Sequence, residues 1–279
     1  MAKNLKDLHL AFIGCGVMGE SMIAGLLRKK LVEPANITAS HPREARRAEL
    51  AERYGIAVHP GNRDAAGSIA GKENSAVVLC IKPQRLERVL SDLKGGLHPD
   101  QMVISIVAGA TIEKLAGDLG TAKVVRAMPN TPSQIGAGIT AWTCTVAIGE
   151  TERGNVREVF SALGKELFVE TENMIDMATS LSATGPTYIF MVMEALTDAG
   201  VHLGFSRDMA KELVQETMLG SVKFAMESHK HPAELRNMVT SPGGTSAEAI
   251  YQMEKGTLRT VLSKAVYAAY KRAVELGKK

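Results

Sequence analysis

The chain has 279 residues, of which 45% are hydrophobic and 23% charged, enough to bury a substantial core as one large domain or two smaller ones. Its formal net charge is only +3 and aromatics make up 4%, with no Lys/Arg block interleaved with aromatics, so no nucleic-acid footprint is expected. No stretch approaches the roughly 20 apolar residues of a membrane span, residues 1–8 do not read as a secretory signal, and the widely spaced Cys15, Cys80 and Cys144 read as reduced thiols of a cytoplasmic protein rather than a disulfide frame or zinc site.

The first apolar run, Leu8–Ile13, is hydrophobic throughout, as expected of a strand buried on both faces. It ends in Gly14-Cys15-Gly16-Val17-Met18-Gly19, a GxGxxG pattern that opens the helical segment Val17–Leu31. In that setting Gly14 serves the tight turn, Gly16 lets the backbone approach a pyrophosphate, and Gly19 lets helix pack on strand. The helix N-terminus adds free N–H groups and the positive end of its dipole. A glycine-rich turn without a ligand is the competing reading, but the flanks are those a dinucleotide site requires.

The second strand, Ile37–Ser40, chooses between cofactors. An NAD site usually ends this strand with Asp or Glu to accept from the ribose 2′-OH. Here Ser40 is followed by His41-Pro42-Arg43, with Arg46 and Arg47 one turn on. Ser40 can hydrogen-bond a 2′-phosphate and Arg43 can pair with it, so NADPH is preferred, with NADH possible. The alternative is that these arginines form a solvated helix face.

Further strands are expected at Ala76–Ile81, Met102–Ile106 and Lys123–Ala127, with weaker ones at Ile139–Ile148 and Glu166–Glu170. Helical patterns at Arg43–Tyr54, Leu86–Leu93 and Ile112–Leu119 alternate with them. Such alternation predicts an α/β fold, a parallel sheet with helices on both faces, over residues 1–170. From Asn173 the texture changes to long helical stretches: Met174–Leu203, Arg207–Ser228, Pro232–Val239, Ser246–Lys255 and Leu258–Leu276. Residues 171–279 therefore read as a second, all-helical domain. It carries nine of the 14 methionines, more in keeping with a helix–helix core or subunit interface than with a ligand box. The seven histidines include no HxxxH pair, and no metal site is expected.

The chain resembles the pyrroline-5-carboxylate reductases along nearly its whole length. The match is carried by Phe12–Gly19, Ile81-Lys82-Pro83, Ala108-Gly109, the run Arg126 to Pro132, Gly185-Pro186-Thr187-Tyr188 and Ser241-Pro242-Gly243-Gly244-Thr245-Ser246. The last block is the most diagnostic, because a generic Rossmann enzyme need not have it in its helical half. The resemblance implies an N-terminal Rossmann-type domain, a C-terminal helical domain that dimerises, often within larger rings, and NAD(P)H-dependent reduction of 1-pyrroline-5-carboxylate to L-proline, the last step of proline biosynthesis. It also implies that Ser40 and Asn62 contact the adenosine end of the cofactor. Ile81, Lys82 and Pro83 would run along it, and Ala108 and Gly109 would lie near the nicotinamide.

The substrate is a small anion with one electrophilic carbon. Thr245 and Glu248 fit an S/T-x-x-E capping box, so a helix is expected to start there, with Gly243 and Gly244 exposing backbone N–H groups ahead of it. By the resemblance, Gly243, Gly244, Thr245 and Ser246 bind the substrate, Glu172 stands near it, and Ser246 offers the hydroxyl closest to the imine nitrogen. Two departures from the family pattern stand out. Ser246 replaces the usual threonine, and Ser182-Ala183-Thr184-Gly185-Pro186 replaces Ser-Gly-Ser-Gly-Pro, which reshapes the substrate pocket; Pro186 should kink its helical run. Two other readings stay open. One is a reductase of another cyclic imine or small keto or imino acid; a β-hydroxyacid enzyme would need a lysine that the run 183–199 lacks. The other is a nonenzymatic dinucleotide-binding protein.

Overall fold

The computed structural model describes Leu5, residues 7–98 and residues 100–278. In chain order, β1 (His9–Ile13) leads into α1 (Val17–Arg28), β2 (Ile37–Ser40) into α2 (Glu44–Tyr54), β3 (Ala57–His59) into α3 (Asn62–Gly67), and β4 (Ser75–Leu79) into α4 (Leu86–Leu93). Then β5 (Met102–Ser105) leads into α5 (Ile112–Leu119), β6 (Val124–Met128) pairs with β7 (Gly138–Cys144), and α6 (Glu150–Ser161) precedes β8 (Gly164–Phe168). The helical part holds α7 (Asn173–Ala178), α8 (Gly185–His202), α9 (Arg207–Ser228), α10 (Pro232–Met238), α11 (Thr245–Lys255) and α12 (Leu258–Gly277).

The eight strands form one sheet in the order β3-β2-β1-β4-β5-β6-β7-β8. Its first six strands have the dinucleotide-binding order, in which the winding reverses between β1 and β4 and opens a crevice beyond their carboxyl ends. Alternate residues of β1 and β4 feed opposite faces. Leu10, Phe12, Ala76 and Val78 pack with Met22 and Ile23 of α1 and Phe160 of α6. Ala11, Ile13, Val77 and Leu79 pack with α3, α4 and α5. This period of two explains why the strands read as continuous apolar runs: both faces are covered.

Three expectations need correction. The sheet is not wholly parallel, since β7 runs antiparallel to β6. The link between them holds only a 3₁₀ turn over Thr131–Ile135, too short for the crossover that a parallel pair needs. β3, α3 and α6 were not anticipated. β3 has three half-exposed residues, and α6 turns inward only Val156, Val159 and Phe160, a thin stripe in a polar segment. Finally, Pro186 does not kink one long helix. The run is already divided, as a π-helical turn over Thr179–Ala183 separates α7 from α8, and Pro186 sits in the first turn of α8, where its missing N–H costs nothing.

Residues 1–184 and 269–279 form one compact unit, and Gly185–Ala268 form another. In the second, α8 packs on α9, and Gly200 lets them come close: a Cβ there would lie 2.9 Å from the Cβ of Ala210. No described helix is long and apolar enough to cross a membrane.

Candidate active site

At the carboxyl ends of β1, β4, β5 and β6 lies a cleft of about 610 Å³. Of the expected cofactor residues, Gly14, Gly16, Val17, Met18, Ile81, Lys82, Pro83 and Ala108 line it. A smaller cavity of about 350 Å³ lies at the other edge of the sheet, beside the starts of β4 and β5. That edge receives the strands' amino ends, where α/β sheets do not gather ligands.

The glycine turn is built for its position. Gly14 has φ +75°, and a Cβ there would fall 2.1 Å from Cγ2 of Ile81, so both backbone and neighbour demand glycine. At Gly19 a Cβ would meet Sγ of Cys80 at 2.6 Å, so α1 passes too close to the end of β4 for a side chain there. Gly16 differs. Its nearest neighbour would be Gly14 O at 3.9 Å, so nothing in the protein requires a glycine. The space it leaves faces outward at the N-cap of α1, where a pyrophosphate can reach the first amides of the helix. The residues present therefore fit a dinucleotide.

Several of the expected contact residues also bond or pack within the protein. Ser40 is fully buried. Its hydroxyl accepts from Gly14 N–H at 3.2 Å and donates to Asn62 Oδ1 at 2.7 Å. Ser40 and Asn62 thus tie the glycine turn to the end of β2 and the start of α3. Cys15 faces the core, and burial pushes its thiol up to about 12; burial also raises the Cys80 thiol. Both shifts disfavour the thiolate, the nucleophilic form. Gly109 (φ +78°) lies against the end of α12, where a Cβ would meet Leu276 at 2.7 Å.

The arginines after β2 divide by role. Arg46 and Arg53 bind Glu20 of α1, and Tyr54 joins them. Arg47 braces the carbonyls of His41 and Pro42. Arg43 is exposed at the N-cap of α2. Burial, with the charges of Arg43, Arg46 and Arg47 behind it, holds the His41 imidazole below its ordinary value. With no carboxylate at the end of β2, this positive corner suits a 2′-phosphate. His41 and, from the opposite wall, Arg85 also line the cleft. The sequence offered no signal for either, because a lone His and a charged helix-start residue look alike on any surface.

Comparison with known proteins now decides the family. A pyrroline-5-carboxylate reductase of Synechocystis is 38% identical to this chain over 98% of the chain and 100% of the relative. The chain belongs to the pyrroline-5-carboxylate reductase family. A model described as pyrroline-5-carboxylate reductase dimerisation matches residues 172–276, and one described as NADP oxidoreductase coenzyme F420-dependent matches residues 9–109. Among solved structures, a pyrroline-5-carboxylate reductase from Coxiella burnetii superposes with TM-score 0.87 at 33% identity, covering 98% of this chain and 100% of that one. The Plasmodium falciparum pyrroline carboxylate reductase with NADP bound gives TM-score 0.88 at 28% identity, covering 98% and 99%.

The residues that the family likeness assigns to the substrate lie in two places. Ser241–Ser246 form the turn between α10 and α11, with Gly243 at φ +69° and Gly244 N–H donating to Ser241 O at 3.0 Å. The expected capping box is absent. Gly244 is the N-cap, Thr245 the first helical residue, and the Glu248 carboxylate accepts from Gln252 instead. The helix starts one residue early because glycine already supplies the extended cap. The consequence is that the amides of Thr245 and Ser246 occupy the first positions of α11, where N–H groups have no partner within the helix.

Glu172 lies in the other unit, at the N-cap of α7. Its Oε1 accepts from Arg126 Nη1 at 2.8 Å and from Ile112 N–H at 2.8 Å. Asp176, one turn on, accepts from Arg126 Nη2 at 2.6 Å. Arg126 is 1% exposed. This triad of a buried arginine and two partly exposed carboxylates was not foreseen. The motif around Arg126 was legible, but its acidic partners lie 46 and 50 residues away, beyond any local pattern.

Proposed function

We propose that this chain reduces 1-pyrroline-5-carboxylate to L-proline with NADPH as the preferred reductant and NADH as a possible one. The observation that carries the reading is similarity along nearly the whole chain, at 38% and 37% identity, to curated pyrroline-5-carboxylate reductases. The absence of an acidic residue at the end of β2 and the Gly16 gap support the choice of cofactor.

The nicotinamide, when bound, supplies the hydride; this chain's own residues do the rest. Gly16 and the first amides of α1 receive the pyrophosphate, and Arg43 and the positive corner around His41 receive the 2′-phosphate. The substrate carboxylate binds the amides at Gly243–Ser246. Ser246 protonates or hydrogen-bonds the ring nitrogen, directly or through water, and once that nitrogen carries its proton the Ser246 Oγ accepts from the iminium N–H. An iminium is already electrophilic, so no strong general acid is required. Ser246→Ala is expected to lower kcat by roughly tenfold, equivalent to ~1.4 kcal/mol of transition-state stabilisation; unchanged kinetics would remove Ser246 from the mechanism.

The three unpaired thiols support a reducing, cytoplasmic setting. The dimerisation match supports self-association, as a dimer or a ring of dimers. One observation favours testing a second substrate. Ala183, a departure from the family pattern, packs against the small cluster of Met128, Ala141, Val169 and Ile175, of which Met128 lines the cofactor cleft. The side chain that the family's glycine lacks therefore adjoins a cluster that backs the cleft wall. The deciding assay is NADPH oxidation with 1-pyrroline-5-carboxylate, repeated with piperideine-2-carboxylate and with NADH. No oxidation with 1-pyrroline-5-carboxylate would overturn the proposal; faster oxidation with the six-membered ring would move it to that substrate.

A further inference from the structure

Arg126 has no obvious reason to be where it is. An arginine with 1% exposure in the strand of a packed sheet is costly unless it is fully engaged. Its guanidinium reaches two carboxylates one helical turn apart, Glu172 and Asp176. The Nε remains buried without a hydrogen-bond partner among the described residues. Packed apolar residues would hold a strand to a helix at least as well, so fold stability alone does not account for the arrangement.

Its placement does. Arg126 is two residues before the end of β6, which continues through Met128 and Pro129 into the cleft wall. Glu172 also accepts from the first amide of α5, the helix that follows the Ala108–Gly109 turn, and Ala108 lines the same cleft. Asp176 fixes α7, which runs into the π-helical turn Thr179–Ala183. One side chain therefore ties together the wall at Met128–Pro129, the wall at Ala108, and the segment carrying Ala183. Of these, Ala108 is expected near the nicotinamide, and Ala183 is expected to shape the substrate pocket. Among the described residues, the end expected to hold the adenosine, at Ser40, Asn62 and α2, shows no hydrogen bond to this network.

We propose that Arg126 is a positioning residue for hydride transfer: through Glu172 and Asp176 it holds the walls around the nicotinamide while contributing little to the cofactor's affinity. Glu172 then acts through Arg126 and Ile112. This rests on the reductase reading above.

The test is Arg126→Lys, which keeps the charge but cannot donate in a fork to both carboxylates. Trp142 is the chain's single tryptophan, so its quenching on titration with NADPH gives the Kd. We expect Arg126→Lys to bind NADPH within about threefold of wild type while kcat falls about tenfold or more. The emission of bound NADPH, which reports on the nicotinamide's surroundings, should move toward that of free NADPH. Asp176→Asn, which retains an acceptor for Nη2, should keep most of the activity that Asp176→Ala loses. If Arg126→Lys does not fold, as judged by its thermal midpoint, Glu172→Gln carries the same three readouts. An unchanged kcat and emission, or a Kd rising in step with the loss of kcat, would reduce the triad to fold support. A wild-type protein inactive on 1-pyrroline-5-carboxylate would sink the substrate reading alone, and the emission comparison would still decide the positioning role.

Discussion

Single residues in this cleft separate into those that touch a ligand and those that hold others in place, and Ser40 shows how differently the two behave. Both of its hydrogen bonds go to protein, to Gly14 N–H and Asn62 Oδ1. Ser40→Ala strands a backbone N–H of the phosphate turn, a loss of roughly 1–3 kcal/mol for a buried donor. The expected outcome is a Kd for NADPH weakened by about tenfold, with that for NADH weakened in parallel, because the turn itself loosens. Measured by quenching of Trp142, a selective loss of NADPH affinity would instead make Ser40 a direct contact to the 2′-phosphate. Gly16 teaches the converse: a glycine that the protein's own packing does not require is a position shaped by something outside the chain.

Between elements, the decisive contact on the adenosine side is the clasp of α1 and α2. Glu20 on α1 is bound by Arg46, Arg53 and Tyr54 from α2. Burial pushes the Glu20 carboxyl up, but the hydrogen bonds from Arg46, Tyr54 and Arg53 outweigh it and hold the group below the ordinary carboxylate range. A carboxyl depressed in the folded state adds stability that is present above its unfolded value of roughly 4.3 and is lost as pH falls through the folded value. Glu20→Gln is therefore expected to be less stable than wild type at neutral pH, with the difference closing as pH falls below about 4. Urea unfolding at a series of pH values measures it; a difference that stays constant into acid would mean the clasp does not titrate. The clasp also occupies Arg46, whereas Arg43 at the N-cap of α2 is exposed.

At the scale of the whole molecule, the helical unit has too little core of its own. Among its described residues only Ala210 is buried, while Phe190, Leu213, Val222, Phe224 and Val261 are each half exposed or more. An apolar surface of that extent marks an association face, in line with the dimerisation match over 172–276. Phe224→Glu places a charge on that face and is expected to shift the protein toward monomer in sedimentation velocity. A wild-type protein that sediments as a monomer at micromolar concentration would refute the association reading.

How much of this was legible in the sequence follows from the range of each interaction. Strands such as Ile37–Ser40 and the phosphate turn at Gly14–Gly19 were readable because periodicity and backbone sterics are local: a buried strand must be apolar on both faces, and a tight turn against Ile81 must lack a Cβ. The helical second half was readable for the same reason. The antiparallel turn of β7, the π-helical break before Pro186 and the early start of α11 at Gly244 were not, since each is set by what the chain packs against. Roles at the site divided the same way. The sequence by itself placed a dinucleotide cleft and an amide-bearing turn and, through family likeness, their chemistry. Only the tertiary structure decided that Ser40 bonds Gly14 and Asn62 and that Glu172 bonds Arg126, because hydrogen-bond partners far apart along the chain meet only once the sheet is assembled.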